Sequence, residues 1–186
     1  MKKINVTDLI LGAQRHLIER PYDLVHDITH HAQVWGWCLK IVEAEKLKVN
    51  WPVLQVAAWW HDAEGRTGEL VEAVRKSLVK HMIDKDFTDK VIGLIEEHTF
   101  GKTQTSLEAK VLFDADKLEY VTPERFAWFF QALNDGYLDE SAYRKYDNDW
   151  HNRIKLVPKL LNFSFTKKEF LKMYKKAIES DHWRKE

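Results

Sequence analysis

The chain lacks most of what would tie a protein to a membrane, to a nucleic acid or to an oxidising compartment. Its 186 residues include one cysteine, Cys38, so no internal disulfide can form, which suits a reducing cytoplasm. Lys+Arg and Asp+Glu are both 29, so no net field recruits a nucleic acid or an anionic bilayer. No apolar run approaches the ~20 residues that cross a membrane. The opening MKKINVTDLILGAQRH has too short an apolar stretch for a signal peptide and no small-residue cleavage site. The expectation is a soluble, cytoplasmic protein with no membrane or nucleic-acid partner. Glycine and proline are also scarce, seven and four, and no alternating strand pattern is seen. What remains is an ordinary globular balance, 45% hydrophobic and 31% charged, long enough for one domain with a real core.

The period is helical nearly throughout, and the expected fold is all-α, a single compact helical bundle over 1–186. Thr7 or Asp8 caps a first helix that runs to about Glu19. Asp27 caps a second, 28–46, with Val34, Trp37, Cys38, Ile41 and Val42 on its buried side. Asn50 caps a third, with Pro52 in its first turn, which carries an apolar run into His61-Asp62. A fourth is expected over about 69–83, and Thr88 opens a fifth that leads to His98. Ser106 starts the sixth, VLFDADKLEYV, and Thr122-Pro123 launches the aromatic helix RFAWFFQAL. Residues 134–149 are polar and poorly periodic and read as irregular. Residues 150–162 read as helix started or kinked by Pro158, and Thr166 with Glu169 reads as a capping box for a last helix, about 167–182.

The stretch AAWWHDAEG, 57–65, organises the rest. A buried helix ends there in a neighbouring imidazole and carboxylate. Adjacent helical residues point about 100° apart, at ~3.6 residues per turn, so His61 and Asp62 can face one ion only where the helix is ending. The plain alternative is that His61 caps the helix and Asp62 starts a turn. Three other places set ligand-type side chains at helix ends or in apolar surroundings: His30 in HDITHH, His98 in IEEHTFG, and Asp114/Asp116 in LFDADKLE. His26, Asp27 and Thr29 can be read as helix caps, and His98 as a C-terminal cation. Asp116 lies among Val111, Leu112, Phe113 and Leu118, and a carboxylate so placed needs a partner or an ion. Asp114 points to a different face and reads as solvent-exposed or paired with Lys110 or Lys117. Two imidazoles and two carboxylates suit borderline divalent ions such as Mn²⁺, Fe²⁺, Co²⁺, Ni²⁺ or Zn²⁺. An octahedral ion with four protein ligands keeps positions open for water and a substrate oxygen, as metal-assisted hydrolysis requires.

The order His…His-Asp…Asp on a helical chain resembles the HD-domain superfamily of metal-dependent phosphohydrolases. HDITHHAQV is similar to the HDxxHxxRV segment of a compact bacterial and archaeal subgroup, and EEHTFGKTQTSLEAKVLFDADKLE is similar to its HSF…LEgkivqDADrLD segment. These cover roughly residues 22–122, and 150–162 is more weakly similar to the segment that closes the site. The resemblance implies the metal ligands His30, His61, Asp62 and Asp116. His30, not His31, occupies the second histidine of HDxxH, and Asp116 is the last of the DAD triplet. It also implies that His98 faces the substrate phosphates or polarises the attacking water, and that one divalent ion is bound, with Mg²⁺ also among the candidates. Lys117 replaces the arginine of DADrLD as a phosphate contact.

Gln33 stands where HxxRV has arginine, and Glu119 where DADrLD has its second aspartate; both lie close enough to affect support of the ligands. After His61-Asp62 the loop offers Glu64 as a general base and Arg66 as a phosphate clamp, or a solvated pair. Trp35, Trp128 or Trp150 can stack on a base; core packing is the plain alternative. The resemblance implies a hydrolase acting on a small phosphate ester or anhydride, most plausibly a nucleotide. The alternative is a nucleotide- or signal-binding module of the same fold without catalysis.

Overall fold

In the computed structural model the residues described are 6–20, 25–63, 72, 74–76, 78 and 84–179; Glu64 and Arg66 lie outside them, as does most of the fourth helix expected at 69–83. The described residues contain helices and turns and no strand. Nine helices follow one another among them: α1 (Val6–Glu19), α2 (Ile28–Ala44), α3 (Trp51–Trp60), α4 (Lys85–Glu97), α5 (Leu107–Glu119), α6 (Pro123–Asn134), α7 (Glu140–Ile154), α8 (Val157–Leu160) and α9 (Ser164–Glu179). The all-α bundle expected from the period is what forms.

The centre of the bundle is α3. From Val53 to Trp60 it is buried at every position except Gln55, because an element apolar all round can be stable only when enclosed. It is enclosed by α1, α2, α4 and α5, and α2 lies along α5. The Trp60 indole donates to Leu9 O at 3.2 Å, fastening α1 to the end of α3 that carries the site. Cys38 is wholly buried on α2, as a small packing residue should be.

The caps follow local chemistry. Asp27 accepts from His30 N at 3.0 Å, Asn50 from Val53 N, and Ser106 from Ala109 N, as their sequence positions require. Helix α2 stops two residues before the expected Lys46, which adopts φ 53°; Leu47 N then donates to Val42 O at 2.9 Å and Lys46 N to Glu43 O. That is a Schellman ending built without glycine.

Five expectations give way. Helix α1 already includes Val6, so Thr7 and Asp8 lie inside it and do not cap it. Helix α4 opens at Lys85, since Asp84 takes Phe87 N at 2.9 Å and leaves Thr88 Oγ1 to donate to Asp84 O. Residues 134–149 are largely helical: Asp139 caps α7 through Ala142 N, and Glu140 pairs with Arg144 one turn on. Most of the described side chains of α7 are polar and exposed, so it shows little apolar period. The helix expected over 150–162 is divided: α7 ends at Ile154, and Pro158 stands, as expected, at the start of a helix, the separate short α8. The last helix begins at Ser164, and Thr166 is not its cap; its buried hydroxyl donates to Asp114 instead.

Candidate functional site

Four elements deliver the chemistry to one end of the bundle. The first turn of α2 brings His30, the end of α3 brings His61 and Asp62, the end of α4 brings His98, and the last turns of α5 bring Asp116, Lys117 and Glu119. His61 keeps a helical backbone at φ −59°, ψ −33°, and the turn over 61–63 begins there, so the two neighbouring side chains converge. His30, His61, Asp62 and Asp116 each offer one ligand atom, and these atoms lie within 4.8 Å of one another. All four residues are buried.

Donors and acceptors run in one direction through the imidazoles. The Arg125 guanidinium donates to His30 Nδ1 at 3.2 Å and to Val25 O at 2.6 Å. His30 Nε2 is then its N–H, and it meets His61 Nε2 at 3.1 Å. His61 Nδ1 donates to Ala58 O at 2.8 Å, which leaves Nε2 as its lone pair. Burial holds the His61 imidazole down to about 4, against the pull of Asp62. Burial, then the Arg125 charge, holds His30 well below the usual histidine range. Neutral imidazole is the form in which histidine ligates a cation; the inward Nε2 of His61 is already bare, whereas that of His30 has first to give up its proton.

The carboxylates carry the opposite bias. Asp62 ionises well below its usual value: burial opposes this, and His98, His61 and His26 together outweigh burial. Asp116 is likewise lowered, chiefly by Lys117, whose Nζ is hydrogen-bonded to Asp116 Oδ2. His98 Nδ1 donates to Ile95 O, and its Nε2 stands 3.4 Å from Asp62 Oδ1. Although burial disfavours the imidazolium, Asp62 raises the His98 pKa. The Asp62 Oδ1 atom is buried and makes no geometrically adequate hydrogen bond among the described residues. Two neutral imidazoles, two ionised carboxylates and an under-satisfied inward oxygen form a donor set that fits a divalent cation.

His26 was read only as a cap residue, yet its Nε2 lies 3.6 Å from Asp62 Oδ2. Arg125 was not singled out at all. The available signal was a cation in the first turn of α6, where the helix dipole disfavours it. His31 is not one of the four; its ring packs 4.5 Å from that of His61, and its Nδ1 donates weakly to Ala58 O at 3.4 Å. Asp114 is neither exposed nor paired with a lysine. It is fully buried and accepts from Asn162 N and Nδ2, Phe163 N and Thr166 Oγ1, tying α5 to the start of α9. Trp150 donates to Tyr120 O at 2.7 Å, and Trp35 packs edge-on against Trp51. Both are structural contacts, and the Trp128 side chain lies outside the described residues.

Beside the four-residue group opens a cavity of about 330 Å³, lined among others by Asp62, His98, Asp116, Phe100, Arg125 and Arg153. Gly101, at φ 82°, turns the chain just after Phe100, a conformation suited to glycine. Lys117 is only 4% exposed, with Nζ bonded to Asp116 and 4.5 Å from the Phe100 ring centroid. Its charge reaches the cavity, but its first partner is Asp116.

No protein-family model matches the chain, and no curated protein matches it. Solved structures do. A Lactobacillus plantarum protein from a structural-genomics programme superposes with a TM-score of 0.75 at 17% identity, over 97% of this chain and 94% of that one. The Lin1889 protein of Listeria innocua gives 0.66 at 19% identity, covering 96% of each chain. Bacillus subtilis YpgQ, in a crystal structure with ADP, gives 0.63 at 23% identity, covering 95% of this chain and 94% of that one. The likeness is one of fold. No helix among the described residues is long and apolar enough to cross a membrane.

Proposed function

We propose that the protein is a metal-dependent phosphohydrolase that cleaves a phosphate ester or anhydride of a small molecule, a nucleotide above all. The observation that carries this reading is the buried convergence of His30, His61, Asp62 and Asp116, two of which, Asp62 and Asp116, line a cavity that also presents His98, Arg125 and Arg153. These four would hold a divalent ion, which when bound supplies an acidified water and polarises a phosphoryl oxygen. The rest is done by the chain. Against the cost of burial, Asp62 raises the His98 pKa and so favours the imidazolium, whose Nε2–H can neutralise charge building on a phosphoryl oxygen. Arg125 and Arg153 provide cationic walls for the phosphates, the part that the sequence resemblance alone gives to Lys117 and the loop to Arg66. Asp62 both faces the ion and orients His98, so its loss should affect binding and turnover together. Glu64 remains the proposed general base from the loop that follows.

The ADP in the YpgQ crystal supports a nucleotide as ligand, in keeping with a cavity of this size. It suits a catalyst and a binding module alike, and the assay separates them. Purified protein is screened for phosphate release, and for pyrophosphate release with added pyrophosphatase, over nucleotides with Mn²⁺, Co²⁺, Ni²⁺ or Mg²⁺. The hydrolase reading predicts turnover that His61→Ala and Asp62→Ala abolish. Full activity in either variant contradicts it, and nucleotide binding without turnover favours the binding module.

A further inference from the structure

Glu119 is 1% exposed, lines the cavity and is not one of the four ligand residues. It lies one helical turn beyond Asp116 on the same face of α5, a spacing that puts side-chain origins about 5–6 Å apart. Its two oxygens are used differently. The Trp37 indole donates to Oε1 at 2.9 Å and fixes the carboxyl plane. Oε2 is buried and has no hydrogen-bond partner among the described residues. The nearby Arg125 charge acts on the group without bonding it. A buried acceptor left bare is costly unless something outside the protein completes it. Glu119 is among the residues that line the cavity, and a donor held there can complete it.

The place of that donor limits its chemistry. With the reacting phosphate at the Asp116 end, Oε2 is one turn away, next to the group that immediately follows the phosphate. Where the reacting phosphate is the α-phosphate of a nucleotide, that group is the sugar, and its hydroxyls are donors. We propose, resting on the nucleotide reading above, that Glu119 is a specificity-determining residue whose Oε2 accepts a hydrogen bond from a sugar hydroxyl, selecting hydroxylated ribosides over dideoxy ones. Trp37 is then a positioning residue that holds the acceptor at a fixed angle.

The test is equilibrium titration at pH 8 of the full chain with Mn²⁺, using the α,β-methylene analogues of ADP, 2′-deoxy-ADP and 2′,3′-dideoxy-ADP, so that anhydride cleavage does not intervene. A hydrogen bond to a charged group is worth about 10- to 150-fold in affinity, so the wild type should prefer the riboside over the dideoxy compound by that factor. The 2′-deoxy analogue identifies the hydroxyl. Glu119→Gln keeps an acceptor for Trp37 but makes the cavity-facing atom an amide nitrogen, and should cut the preference to about threefold or less. Glu119→Met should remove it, with dideoxy affinity unchanged in both variants. Equal wild-type affinity for all three, no binding of any, or a preference that survives Glu119→Met overturns the proposal. Loss of affinity for every probe alike in both variants also overturns it, because it marks a merely structural role. If discrimination stands while no nucleotide is hydrolysed, the hydrolase reading fails and the role of Glu119 does not.

Discussion

Asp114 and Asp116 are two residues apart on α5, and the helix turns them to opposite sides. Asp116 faces the ligand group; Asp114 is spent entirely on the backbone and side chains that start α9. Asp114→Ala should therefore lower stability by about 3 kcal/mol, leaving Asn162 N and Phe163 N unpaired. Metal stoichiometry of the folded variant should be unchanged, as elemental analysis would show. The DAD triplet made both aspartates visible in the sequence. The two amides and hydroxyl that engage Asp114 lie about 50 positions away, beyond the reach of local pattern. Arg125 was hidden for the same reason: its partners, Val25 and His30, are about 100 positions upstream. By donating to His30 Nδ1 it favours the tautomer with the proton on Nε2, whereas ligation needs that nitrogen bare. Arg125→Ala should tighten Mn²⁺ binding by about tenfold, the worth of one charge-assisted bond. Unchanged or weaker binding in a calorimetric titration would show that Arg125 does not oppose ligation.

At the scale of elements, the helix ends make the site. His30 follows an N-cap, His61 and Asp62 leave a C-terminus, and His98 closes another. Caps were legible because Asp27, Asn50 and Ser106 act on residues two or three positions away. Helix α7 was not, since its exposed polar faces give no apolar period, and the start of α9 was misread because Thr166 answers to Asp114 rather than to its own helix. Asn50 does double duty: its side chain caps α3, and its N–H donates to Glu108 Oε1 at 2.6 Å in the first turn of α5. Asn50→Ala should cost about 1 kcal/mol, seen as a lower thermal midpoint, with the Glu108 link intact because it uses the backbone.

Over the whole molecule, burial of ionisable groups links the site to stability. Burial pushes the Glu119 carboxyl up to about 7, from an ordinary glutamate value of 4.5. Between those values the folded protein holds a proton that the unfolded chain has released, so stability falls as pH rises through this window. The full effect is about 3 kcal/mol at most. Glu119→Gln should flatten the stability profile from pH 4.5 to 7 and gain on the wild type above it, as denaturant midpoints across pH would record. Parallel profiles would mean that Glu119 titrates normally. No composition or period announces such a group; only the closing of α2, α5 and α6 around it does.

The central claim, that one end of this bundle is a divalent-cation site, is tested most directly by calorimetric titration of Mn²⁺ into chelator-stripped protein, wild type beside Asp62→Ala. The account predicts about one ion per wild-type chain, with a thermal midpoint that rises with free metal by mass action, and neither effect in the variant. No saturable binding by the wild type, or equal binding by Asp62→Ala, would contradict it.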